Sequence, residues 1–128
     1  MKLKLLDLFR SEKTLFELGE NKEIKLFEAM QFGLELIKIS PVLQEINKAR
    51  SNLILKFGSK NIETERIELA PDTEAYYNFE NELIQFLNNE QEIDLKRITI
   101  SCKKDKSLGL SANQIIAVKY FIDFVIEE

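Results

Sequence analysis

The sequence contains no histidine and a single cysteine, and these absences exclude several classes of protein. Without histidine the chain cannot form a Ser-His-Asp or Cys-His catalytic group or an ordinary zinc site, and it lacks the side chain that titrates most readily near neutral pH. Cys102 has no second cysteine with which to form an intramolecular disulfide, which suits a reducing compartment. We therefore predict no catalytic residue, no metal and no cofactor.

Long apolar runs and linker segments are also absent. No window approaches the roughly 18 uninterrupted apolar residues typical of a membrane-spanning helix. At the amino terminus, Asp7 and Arg10 interrupt MKLKLLDLFR before it reaches the length of a signal-peptide core. There is no internal repeat and no Pro/Gly/Ser-rich boundary. We expect a single cytoplasmic domain spanning residues 1–128, without membrane association.

The hydrophobic pattern predicts an α+β fold. Helices are predicted over residues 22–39, 73–88 and 112–127, and strands over residues 52–57, 63–69 and 95–102. The strands should form a small, mainly antiparallel three-stranded sheet packed against three or four helices. The pattern does not decide the secondary structure of two regions. Residues 1–10 fit a helix or a strand, and residues 42–57 fit either a short helix followed by a strand or one continuous helix ended by Gly58.

The predicted helix over residues 22–39 has an amphipathic pattern. Apolar or small residues recur on one face at three- and four-residue steps, namely Leu26, Ala29, Met30, Gly33, Leu34 and Ile37. The opposite face has Glu28, Gln31, Glu35 and Lys38. We expect the first face to pack in the core and the second to face solvent. Ser40-Pro41 should then begin a new helix, because serine caps helix starts and proline fits the first helical position.

The stretch SLGLSANQ, residues 107–114, has the features of a helix start. Ser111 and Gln114 have the spacing of a capping box, in which each side chain satisfies the backbone N–H of the other residue. Gly109 allows the chain to turn just before the cap. A phosphate-binding loop would require a longer glycine-rich segment and a lysine after the second glycine, and neither is present.

Residues 109–114 of this stretch, GLSANQ, resemble the first motif of peptide deformylases, G-x-G-φ-[AS]-A-x-Q. Ser107 occupies the position of the first glycine of that motif. The family holds its metal with a cysteine segment and an H-E-x-x-H helix, and this chain has no histidine. The resemblance therefore covers six residues and does not extend to the metal site, so we interpret the stretch as structural.

Charge is distributed unevenly along the chain. Residues 61–95 contain ten acidic residues against Arg66 alone, a net charge of −9 that leaves +5 on the remainder. Such a segment repels nucleic-acid phosphates and attracts a basic partner. Within it, a tyrosine beside carboxylates on the predicted helix 73–88 is a favourable composition for a protein interface. The candidate partner-binding residues are Tyr77, Glu80, Ile84, Glu63, Glu65 and Glu74.

These features predict a non-catalytic cytoplasmic domain that captures a basic protein partner. Among such domains, we expect a bacterial immunity protein that neutralises a toxin nuclease domain. One alternative is a homo-oligomeric structural subunit that uses Ile116 and Tyr120 as a self-complementary patch. A second alternative is a carboxylate-based hydrolase that uses the pair Glu63/Glu65 or the pair Glu80/Glu82.

Nucleic-acid binding is not expected. The basic residues Lys96, Arg97 and those of the run 103–106 have no aromatic residues interleaved among them, and the sequence pI is about 5.1. Lysines at this position are typical of a solvated strand edge, where they discourage aggregation.

Overall fold

A computed structural model describes residues 1–103 and 108–127, which form a mixed helix and strand architecture. The helices among these residues are α1 (Leu5–Gly19), α2 (Leu26–Phe57), α3 (Glu74–Leu87) and α4 (Ala112–Val118). The strands among them are β1 (Lys2–Lys4), β2 (Ser59–Lys60), β3 (Ile67–Glu68), β4 (Glu90–Glu92), β5 (Ile98–Lys103) and β6 (Ile122–Glu127). Residues 1–10 therefore contain both a strand and the start of a helix.

The described strands form three separate pairs, so the predicted three-stranded sheet is wrong. β1 pairs antiparallel with β4, β2 pairs antiparallel with β3, and β5 pairs parallel with β6. Of the three predicted strands, residues 52–57 lie within α2, residues 63–69 contribute only the two residues of β3, and residues 95–102 correspond to β5.

The helix α2 runs without a break through Pro41, which makes the predicted new helix at Ser40-Pro41 wrong. The hydroxyl of Ser40 donates to the carbonyl oxygen of Leu36 at 3.0 Å instead of capping a new helix. Extending an existing helix adds one hydrogen bond per residue without a second nucleation cost, so the alternating residues 52–57 join α2. Gly58 ends the helix, and a Cβ at this position would lie 2.5 Å from the carbonyl oxygen of Ile54.

The orientation of α2 is the reverse of the predicted one. Phe32, Glu35 and Ile39 are buried, whereas most of the predicted core face is exposed. Both faces of this stretch are rich in apolar residues, so the pattern by itself did not distinguish them. The acidic side turns inward because its carboxylates meet backbone N–H groups near β5. Glu28 accepts from the N–H of Ser101 at 2.9 and 3.1 Å, and Glu35 accepts from that of Lys96 at 3.1 Å.

The predicted helix over residues 73–88 is confirmed as α3. Thr73 caps it, and its hydroxyl accepts from the backbone N–H of Tyr76 at 3.2 Å. The buried residues of α3 are Phe79 and Leu87.

The predicted helix over residues 112–127 is right only for its first half. The capping box is confirmed: Ser111 Oγ accepts from the N–H of Gln114 at 3.2 Å, and Gln114 Oε1 accepts from the N–H of Ser111 at 2.8 Å. Gly109 just before it has a φ of +75°, a conformation that favours glycine. Ser107, the first residue of SLGLSANQ, and residues 104–106 of the lysine-rich run lie outside the described residues.

After α4 the chain turns and forms β6 beside β5. Arg97 holds this turn, because its guanidinium donates to the carbonyl oxygens of Lys119 and Tyr120 at 2.9 and 3.1 Å. It also forms a two-pronged ion pair with Asp123, with distances of 2.7 and 3.1 Å. Arg97 therefore has a structural role. The β-branched pair Val125 and Ile126 suits the extended conformation that follows.

The buried apolar residues form one cluster between α1, α2, β5 and the turn before β6. Its fully buried members include Leu8, Leu15, Ile39, Leu43, Ile46, Ile100, Val118 and Phe121. Among the described helices, none is long and apolar enough to cross a membrane.

Candidate protein-binding surfaces

The outer side of α3 presents Tyr77, Glu80 and Ile84, which we call the α3 face. Steps of three and four residues place them on one side of the helix, and Phe79 and Leu87 are buried on another. Tyr77 and Ile84 are each 52% exposed, while Glu80 between them is half-buried. The structure therefore brings these three predicted site residues together.

The tyrosine of the α3 face is held by its neighbours. The Tyr77 hydroxyl donates to Oδ1 of Asp72 at 3.4 Å, and its ring lies edge-on to that of Tyr76 with 6.3 Å between the centroids. A side-chain hydrogen bond to Glu80, together with the negative charge of that carboxylate, raises the pKa of Tyr76 above its usual value. A ring restrained in this way loses little conformational entropy when it enters an interface.

The acidic residues Glu63 and Glu65 lie in the turn between β2 and β3, not on the strand expected from their spacing. Asn61 stabilises this turn with two hydrogen bonds. Its Oδ1 accepts from the N–H of Glu63 at 2.9 Å, and its carbonyl oxygen accepts from the N–H of Glu65 at 2.8 Å. Between Asn61 and the two acidic positions lies Ile62, which is 92% exposed. Ile62 is an exposed apolar residue beside the acidic positions that the sequence pattern did not single out.

An open groove of about 770 Å³ joins the turn to α3. Its apolar lining includes Ile54 of α2, Ile67 of β3 and Phe79 of α3, and Asn61 and Tyr76 also line it. The acidic turn and the α3 helix therefore border one concave surface.

Several charges of the acidic segment are neutralised within the chain. Glu82 pairs with Lys56 at 3.0 Å. Glu92 binds the amino-terminal ammonium at 2.9 Å, and Glu90 lies 3.4 Å from Lys2. Among the described residues, no ion pair involves Glu63, Glu65, Glu74 or Glu80, and the first three are exposed. The negative charge available to a partner is therefore concentrated at the turn and the start of α3.

The structure also brings together the two residues of the predicted self-complementary patch, Ile116 and Tyr120, which we call the secondary patch. Ile116 on α4 and Tyr120 in the following turn are both exposed and line one small cavity of about 240 Å³ with Asp7 and Arg10 of α1. The ammonium of Lys119 lies 5.3 Å from the centre of the Tyr120 ring. This patch is smaller than the α3 face and its groove and is bordered by charges of both signs.

A further exposed apolar feature lies on α2, and four of its five residues, all but Phe27, were predicted to pack in the core. We call it the α2 stripe, and it consists of Leu26, Phe27, Met30, Leu34 and Ile37, each between 61% and 78% exposed. The signal in the sequence was that Phe32, Leu36 and Ile39 make the opposite side apolar as well. A helix with two apolar sides has more apolar surface than one core can cover.

The acidic residues and Cys102 were compared with the needs of a metal site and of a carboxylate pair. No group of three or more Cys, Asp or Glu side chains among the described residues could hold a metal ion. Glu80 and Glu82 have different partners, Tyr76 and Lys56, because residues two apart on a helix face different directions. Cys102 is half-buried at the end of β5.

No family model, curated protein or solved structure matches this chain.

Proposed function

We propose that this chain is a non-catalytic protein-binding domain that captures a basic protein partner through the α3 face and the neighbouring acidic turn. One observation carries the proposal: two exposed apolar side chains, Tyr77 and Ile84, flank Glu80 on α3, in the most acidic segment of the chain. Exposed aromatic and aliphatic anchors with acidic neighbours suit a partner whose surface is apolar at its centre and basic at its rim.

The two parts of this surface have different roles. Glu63, Glu65 and Glu74 are exposed and without ion pairs among the described residues, so they act at a distance and speed the encounter with a positive partner. Tyr77 and Ile84 act at contact and slow dissociation, because they bury apolar area once the partner has docked.

A toxin nuclease domain fits this description of the partner. A nuclease must bind phosphates, so its substrate-binding surface is basic, and an acidic protein that covers that surface blocks it. The proposed class is accordingly an immunity protein that acts in the cytoplasm, where a lone cysteine stays reduced. A homo-oligomeric subunit joined through Ile116 and Tyr120 is the second candidate, supported by their proximity on one small cavity.

The test is a kinetic one with an identified partner. A pull-down with the 128-residue chain and mass spectrometry supplies the candidate, and biolayer interferometry then measures both rates. Reversing Glu63 and Glu65 to lysine should lower the association rate. This loss should be largest near 0.01 M salt, where the Debye length is about 30 Å, and smaller near 0.15 M, where it is about 8 Å. The matched control reverses Glu20 and Glu45, two exposed acidic residues outside the segment.

The anchor is tested separately by Tyr77→Ala. The dissociation rate should rise at least about tenfold, which corresponds to about 1.4 kcal/mol, while the association rate changes little. Tyr120→Ala is the control, since Tyr120 is also exposed but lies in the secondary patch. An acidic partner, or an association rate that is insensitive to the Glu63 and Glu65 reversals at low salt, would contradict the proposal. A large effect of Tyr120→Ala alone would move the site to the secondary patch.

A further inference from the structure

The α2 stripe has the spacing of a helix–helix interface. Phe27, Met30, Leu34 and Ile37 follow one another at steps of three, four and three residues, the repeat by which one helix packs against another. The chain's own core does not use them, because Phe32 on the other side of the helix is buried in it. The stripe is thus a second packing surface on a helix that already has one.

The stripe is neutral as well as apolar. Between Leu26 and Pro41 the charged residues are Glu28, Glu35 and Lys38. The two carboxylates turn toward the β5 side, where they bind backbone N–H groups, and Lys38 binds Glu35 at 3.2 Å. An uncharged surface does not select a basic partner. The α2 stripe is therefore not part of the partner-binding surface proposed above, which consists of the α3 face and the acidic turn.

We propose that the α2 stripe is a self-association interface, on which α2 of a second copy packs antiparallel about a two-fold axis. In this register Phe27 of one copy faces Ile37 of the other, and Met30 faces Leu34, so that four apolar layers form. Every stripe residue in these layers finds an apolar counterpart, as a two-fold interface requires. Gly33 lies at the flank of the seam, and nothing stands within 4 Å of where its Cβ would be, which leaves room for close approach.

The size of the stripe fits a weak, reversible dimer. Five side chains of this exposure present on the order of 600 Å² of apolar surface, as large as the largest patches on typical monomers. A standard interface buries roughly 800 Å² per partner, so the stripe and its rim reach the lower part of that range. We expect a dissociation constant on the order of 10 µM.

Sedimentation velocity of the 128-residue chain, in reducing buffer to keep Cys102 from forming a disulfide, tests the proposal. From about 1 to about 500 µM the chain should pass from monomer to dimer. Leu34→Glu should raise the dissociation constant at least tenfold, because it places a charge in two of the four layers. Leu55→Glu is the control: Leu55 is 59% exposed on the same helix but lies outside the stripe. Far-UV circular dichroism should show that both variants stay folded.

A mixing experiment tests the register. Met30→Glu and Leu34→Lys should each weaken self-association, but an equimolar mixture should form heterodimers. The antiparallel register places the carboxylate introduced in one chain opposite the ammonium introduced in the other, whereas a parallel arrangement would not bring these two positions together.

The outcomes that overturn the proposal are distinct from those that overturn the proposed function. A chain that stays monomeric throughout the concentration series, or a mixture that dimerises no better than its components, overturns self-association through the stripe. So does a Leu34→Glu variant that loses capture of the basic partner without any change in self-association. The Tyr77→Ala and Glu63/Glu65 variants should leave the dimer unchanged, so the two proposals can fail separately.

Discussion

Replacing Glu35 with alanine should lower the free energy of unfolding by about 2 kcal/mol. Its carboxylate is buried on the inner side of α2, where it accepts from the backbone N–H of Lys96 at 3.1 Å and from Lys38 Nζ at 3.2 Å. This interaction joins the middle of α2 to the chain just before β5, across 61 residues of sequence. The substitution therefore tests the orientation of α2, which is the reverse of the one predicted from the sequence.

The magnitude follows from the two partners. A hydrogen bond to a charged acceptor contributes about 1.5–3 kcal/mol, and this range applies to the Lys96 N–H. The Lys38 pair adds only about 0.3–0.5 kcal/mol, because it spans three residues of one helix and Lys38 is partly exposed. The better helix propensity of alanine recovers a few tenths of a kcal/mol. Glu35→Gln keeps an acceptor oxygen without the charge, so it should lose about half as much, roughly 1 kcal/mol.

Equilibrium urea unfolding measures these differences. It should be run at two protein concentrations, because self-association would make the apparent stability concentration-dependent. Glu45→Ala, an exposed position on the same helix, is the matched control and should stay within about 0.5 kcal/mol of the wild type. If Glu35→Ala lost no more than Glu45→Ala, or if Lys38→Ala lost as much as Glu35→Ala, the inward orientation of Glu35 would be refuted.

Two further predictions concern the carboxy-terminal part. Ser111→Ala should lower the free energy of unfolding by about 1 kcal/mol without affecting binding, and a loss of binding at unchanged stability would make residues 107–114 a functional site. The hydrogen bond from Arg97 lowers the pKa of Asp123. The pair therefore contributes its full stabilisation above the ordinary aspartate pKa of about 3.9, and this stabilisation is lost as the pH falls through the lowered pKa of the folded state. The stability difference between wild type and Asp123→Asn should therefore shrink in acid; a difference that grows would contradict the pairing.

Sequence reasoning succeeded where the signals are local. The start of α4 was predictable because Ser111 and Gln114 satisfy each other's backbone within three residues. Helix α3 was predictable because Asp72 or Thr73 can cap its start and its apolar residues recur at helical spacing, and the structure shows that Thr73 is the cap. Strand β5 was predictable because Ile98 and Ile100 are buried and the residue between them is exposed. In each case the signal that predicted the element, a cap or a period of apolar residues, lies within that element.

The candidate site was likewise predictable only where its residues lie on one element. The grouping of Tyr77, Glu80 and Ile84 was predictable, because helical spacing alone places them on one face. The negative charge that remains unpaired around these residues was not predictable. Glu90 and Glu92 are neutralised by the amino-terminal strand, about 90 residues away in sequence, and no local pattern reports that pairing. The groove beside Tyr76 likewise exists only because the turn between β2 and β3 stands opposite α3.

The sequence by itself determined that the fold mixes helices and strands, that helices start after residue 72 or 73 and after Ser111, and that acidic charge is concentrated in residues 61–95. Only the tertiary structure decided which side of α2 is buried and whether residues 122–127 extend a helix or form a strand. Both choices depend on β5. Its neighbouring N–H groups draw Glu28 and Glu35 inward, and its other edge accepts β6 as a partner. The local apolar pattern was compatible with either arrangement, and hydrogen bonds from distant segments to the backbone in and beside β5 selected one of them.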